Sequence, residues 1–197
     1  MERFKEYILG REINIYKIDH KNLLFIIFIV LCKLILNSVG ISFILLIIFI
    51  VFKNLIPLLF FMALLGSISL EESLHFLFAN KSEHCRDVVI IIENISFLML
   101  PLLPLGHYVK FTMVNKEKSL NLVKIFLFPP LIPMVIIFVL FVILTIIHFN
   151  LPLEVKTIIS YILSGCFVLH LLSIIPIKIG GYVSDGYTLM KMRKKRR

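Results

Sequence analysis

The chain has 197 residues, of which 59% are hydrophobic and 17% charged, with a mean hydropathy of +1.00 and a formal net charge of +9. A soluble domain carries roughly 45–50% apolar and about 25% charged residues. The composition therefore excludes a disordered chain, a disulfide scaffold and a nucleic-acid-binding globule as main readings, and predicts an integral membrane protein.

Residues 1–21 are polar and carry Arg3, Lys5, Arg11, Lys17 and Lys21, with no small-residue cleavage site before the apolar run. They read as a cytoplasmic N-terminal segment rather than a cleaved signal peptide. Residues 22–197 read as one polytopic membrane domain. Asn22 to Val39 is the first predicted span, closed by a turn at Asn37-Ser38-Val39-Gly40. The next apolar stretch, 41–79, would measure about 58 Å as a helix, against a hydrocarbon core near 30 Å. It must kink and run on beyond the membrane, or divide in two at Lys53 and Pro57.

Between 80 and 120 the pattern changes. Val88-Val89-Ile90-Ile91-Ile92 is β-branched, and Tyr108 to Met113 alternates as a half-buried strand does. Val123 to Phe149 is a further span whose prolines 129, 130 and 133 predict a kink or a late start. Leu153 to Ile175 is the last span, closed by Pro176. The expected fold is thus an all-α integral membrane protein, a polytopic helical bundle of about four to five spans with a small membrane-associated β element.

Six basic residues lie in 81–124 and seven follow residue 177. Loops rich in Lys and Arg stay cytoplasmic, which favours four crossings of the cell membrane with both termini inside. The basic tail, ending Lys194-Lys195-Arg196-Arg197, reads as an anchor to anionic lipid. Cys32, Cys85 and Cys166 are scattered and support neither a disulfide framework nor a cysteine metal site. The isoleucine-, lysine- and asparagine-rich usage suits an AT-rich bacterial genome.

Chemistry is concentrated at Glu71, Glu72 and His75. An ionised side chain in mid-membrane costs about 2.5–3.5 kcal/mol on insertion scales, so an adjacent glutamate pair on an apolar helix needs a role or a solvated position. On a helix, Glu71 and His75 stand at i and i+4 and share one face, with Glu72 beside them. Two side chains can then converge on one cation. A second cluster is Ser173-Ile174-Ile175-Pro176 followed by Ser184-Asp185-Gly186. Alone, Ser-Asp-Gly reads as a turn, but the excursion after Pro176 can return Asp185 toward the acidic helix. His170 reads as a buried, hydrogen-bonded imidazole, His148 as an interface residue, and Met99, Met113 and Met134 as packing. His84 and His107 carry no spacing signal.

In these two motifs the chain resembles the site-2 protease family of membrane-embedded zinc metalloproteases. That family carries His-Glu-x-x-His on one transmembrane helix and Asn-x-x-Pro followed by Asp-Gly near the last core helix. Here the first reads Glu71-Glu72-Ser73-Leu74-His75 and the second Ser173-Ile174-Ile175-Pro176 with Asp185-Gly186. The resemblance implies His75 and Asp185 as metal ligands, Glu72 as the general base, and Ser173 and Pro176 near a membrane or membrane-proximal peptide substrate. Glu71 stands where the family has its first histidine ligand, and Ser173 where it has asparagine. A set of two carboxylates and one imidazole accepts zinc and also admits manganese or iron. The substitution leaves two outcomes open: a slower metallopeptidase, or an inactive descendant that binds a membrane peptide in export or immunity. A glutamate protease with Glu-Glu-x-x-x-Arg is disfavoured, because Phe76 occupies the arginine position.

Overall fold

The computed structural model describes residues 2–8, 11–18, 22–83, 85–97, 100–113, 119–146, 152–179 and 182–194. His84, Met99, His148, Gly180, Gly181 and the end of the basic tail, 195–197, lie outside them. The described residues are mostly helical, with seven helices, a four-stranded antiparallel sheet and a two-stranded one. The chain forms two compact units, residues 1–116 and 117–197.

In the first unit, β1 (Glu2–Ile8) and β2 (Arg11–Lys17) form a hairpin, and β3 (Cys85–Phe97) and β4 (Leu100–Met113) form another. They join edge to edge in the order β1-β2-β3-β4, with Phe4 opposite Ile15, Ile15 opposite Ile91 and Ile91 opposite Tyr108. The β-branched run 88–92 is therefore a strand, and the β element expected from it is extended by the basic N-terminal segment. Ile90, Ile91 and Ile92 are all buried, so both faces of β3 are covered there. A register shift between Arg86 and Val89 coincides with Asp87 at φ 53°, as a bulge requires.

Asn22 caps α1 (Leu23–Leu36) by accepting from the Leu24 amide at 3.0 Å. Ile26, Val30 and Leu34 recur every fourth residue and form its buried stripe. At 14 residues α1 is about 21 Å long, short of a membrane core. It meets α2 (Val39–Phe52) at a bend of 74°. The bend is held from both sides: Ser38 Oγ donates to Leu34 O at 2.6 Å, and Asn37 Nδ2 donates to Lys33 O at 2.6 Å and to the Tyr16 hydroxyl at 3.3 Å. Lys33 also sits 5.1 Å from the centre of the Tyr16 ring, a cation–π contact.

The stretch 41–79 divides in two. Helix α2 ends at Lys53, whose φ of 51° is left-handed, and α3 (Ile56–Asn80) begins with Pro57 in its first turn. Helix α3 packs on α1, β3 and β4. Ser69 Oγ donates to Ile27 O of α1 at 2.8 Å and fixes how far α3 can slide along it. Cys85, where β3 begins, is 8% exposed. Burial pushes its thiol pKa up, opposed by a hydrogen bond with Ser82. Since the folded state holds this proton more tightly, the contribution is present below the ordinary thiol range and is lost as pH rises through it. Maleimide should accordingly label Cys85 more slowly than a free thiol at pH 8, and unfolding should remove the difference.

In the second unit, Pro129 and Pro130 mark a helix start, while Pro133 stands inside the helix that they open. Helix α4 (Ser119–Phe126) ends before them, and α5 (Phe128–Ile146) begins with Pro129 and Pro130 in its first turn. Both prolines are buried. Helix α5 packs along α6 (Leu153–Ile174). Their outward sides are apolar, with Val135, Phe138, Val139, Tyr161 and Val168 all exposed. Helices apolar on both sides suit a lipid surrounding. Among the described residues three helices, α3, α5 and α6, are long and apolar enough to cross a membrane, and α1 with α2 make a fourth if the bent pair counts as one. After α6 a short hairpin, β5 (Lys178–Ile179) with β6 (Tyr182–Val183), leads into α7 (Asp185–Lys194).

Candidate metal centre

Helix α3 buries its polar residues. Glu71, Glu72 and His75 are 4%, 6% and 6% exposed, and Ser69 and Ser73 are fully covered. This removes the reading in which the glutamates have left the apolar region and are solvated. Two carboxyls under such cover are expensive without a compensating charge or hydrogen bonds. One helical turn brings His75 Nε2 to 4.0 Å from Glu71 Oε1. Glu72 has interactions of its own, although its buried Oε2 atom makes no hydrogen bond. Ser73 Oγ turns back to donate to Ser69 O at 2.6 Å, keeping its hydroxyl within the helix.

The second motif is a helix start. Ser184 is the N-cap of α7, accepting from the Tyr187 amide at 3.2 Å, and Asp185 and Gly186 form the first turn. Gly186 is buried where a Cβ would overlap the Ile174 carbonyl oxygen, so the beginning of α7 lies directly on the end of α6. Backbone cannot yield as a flexible side chain does. Gly186→Ala should therefore cost about 1–3 kcal/mol or more, read as a lower melting temperature of the metal-free protein.

Glu71 and His75 of the first unit and Asp185 of the second each offer one ligand atom, and the three make a group that could hold a metal ion. The three are the ligand set expected from the sequence. Ligand bonds of about 2.0–2.2 Å place donor atoms about 3.4 Å apart in a tetrahedral site. The donor set fits a hard divalent ion, with two carboxylates against its charge and one imidazole for orientation.

The remaining residues fall as follows. Ser173 is half-buried near the end of α6 and Pro176 is exposed just beyond it. His170 is fully buried and engaged by a partner, as a structural imidazole would be. Phe76, at the position an arginine would need in a glutamate protease, is packed into the core. Ser184, which the sequence offered as part of a turn signal, is instead the N-cap of α7. No family model matches this chain, and neither a curated protein nor a solved structure does.

Proposed function

We propose that the chain is a membrane-embedded metallopeptidase of the site-2 protease type, hydrolysing a peptide bond in a membrane or membrane-proximal peptide on the cytoplasmic side. The observation that carries this reading is that Glu71, His75 and Asp185 form a group that could hold a metal ion, with Glu72 buried beside Glu71 and His75 on α3. A divalent ion held there would polarise the scissile carbonyl and acidify water. Glu72 then takes the proton of the attacking water and returns it to the leaving amine, serving as base and then as acid. Ser173 and Pro176 are the substrate-binding residues that the family resemblance implies, and the peptide would add as a strand near residues 88–113. Zinc is the ion that the family resemblance implies. Manganese or iron suits the two carboxylates as well.

The test is hydrolysis by the full-length protein in vesicles, presented with a library of single-span peptides and read by mass spectrometry. Cleavage should stop with chelator and return on adding zinc or manganese. Cleavage indifferent to chelator, or none by a metal-loaded chain, contradicts the proposal. The second outcome favours the other reading, an inactive descendant binding a membrane peptide in export or immunity. Glu71 in place of a histidine is the feature that speaks for it.

A further inference from the structure

We infer that Ser184 is a positioning residue, which holds Asp185 in place as a metal ligand. The inference rests on the metal reading above and concerns how that site is built. Ser184 is 2% exposed, yet it makes no use of solvent because every polar atom it owns is employed. Its hydroxyl donates to Ile175 O at 2.6 Å and accepts from the amides of Ile177 at 2.9 Å and Tyr187 at 3.2 Å. Its own amide donates to Ile177 O at 3.1 Å, and its carbonyl accepts from the Thr188 amide at 3.0 Å and the Thr188 hydroxyl at 3.1 Å.

One side chain thus ties the chain leaving α6 to the first turn of α7, across the excursion 175–184. The β5–β6 hairpin, with Lys178 opposite Val183 and Ile179 opposite Tyr182, closes the same excursion from its far side. Gly186 removes the remaining freedom by letting α7 rest against Ile174. Asp185 lies between Ser184 and Gly186, so its backbone is fixed on both sides before any ion arrives. A ligand on a short loop would otherwise lose conformational entropy on binding, and an ordered carrier avoids that loss. Outer residues that orient a ligand typically affect metal affinity by about 10–100-fold.

The experiment titrates the full-length, metal-stripped protein with cobalt(II), following its visible absorption and the melting temperature of the metal-free chain. Ser184→Ala should bind cobalt about 10–100-fold more weakly, with a spectrum approaching that of Asp185→Asn. Ser184→Thr, which keeps the hydroxyl, should restore affinity and spectrum. If Ser184→Ala does not fold, Ser184→Gly gives the same reading, because glycine is well tolerated at an N-cap. A variant without the hydroxyl that melts lower but keeps wild-type affinity and spectrum overturns this inference alone. A wild-type chain that takes up no cobalt overturns the metal reading, and this inference with it.

Discussion

His75→Ala should lose divalent-ion binding at the proposed centre while keeping its fold. His75 is the one neutral donor of the three, and without it a cation would face two carboxylates with no imidazole to complete the set. The loss should exceed the 10–100-fold that outer-shell changes produce, so about 100-fold or more in affinity is expected. Equilibrium dialysis against zinc and manganese reads it directly. The fold should survive because the core contacts of α3 are made by its apolar residues Leu65, Leu74, Phe76 and Ala79. Any melting-temperature gain that the wild type shows with saturating metal should vanish in the variant, since a ligand stabilises only the state that binds it. An alanine variant with wild-type metal affinity would remove His75 from the site.

Glu72→Gln should separate binding from chemistry. The amide keeps the size of the carboxylate and loses the capacity to accept a proton. General acid–base groups contribute about 10²–10⁴-fold, so under the proposed peptidase activity hydrolysis of a membrane peptide should fall by that factor while metal content stays that of the wild type. Glu71→Gln should behave differently, weakening the metal and the rate together, because Glu71 belongs to the group that could hold the ion. Activity retained in Glu72→Gln would assign the base elsewhere. The contrast is informative because the two glutamates are neighbours in sequence and both are buried, yet only Glu71 belongs to the ligand group.

Much of α3 was legible beforehand. The i, i+4 relation of Glu71 and His75 follows from helical periodicity alone, and apolar Phe76, Leu77 and Phe78 beyond them foretold cover rather than solvent. The prolines at 129 and 130 likewise announced where α5 begins, because a residue without an amide proton is accommodated best in the first turn, although Pro133 stands inside the same helix. The N-terminal hairpin was hidden by its charge. Arg11-Glu-Ile-Asn-Ile-Tyr-Lys17 alternates as a strand should, but the basic residues invite a topological reading first. Its place beside β3 depends on a pairing some 75 residues away along the chain, such as Ile15 with Ile91, which no local pattern encodes.

The bend of 74° between α1 and α2 was visible only as a turn signal at Asn37-Ser38. Its holding contact, Asn37 with Tyr16, is again long-range. The Ser-Asp-Gly motif was ambiguous for a related reason. The same residues favour a turn or a helix N-cap, and what selects the cap here is the run of partners at Ile175, Ile177 and Tyr187.

X-ray absorption at the metal edge of the full-length protein, purified without chelator, bears most directly on the three-residue centre. The expected spectrum has one imidazole nitrogen among oxygen donors at about 2.0–2.2 Å, the imidazole signature disappearing in His75→Ala and one oxygen changing in Asp185→Asn. A chain with no bound metal, or one whose metal shows only water-like oxygens unaffected by either substitution, would contradict it.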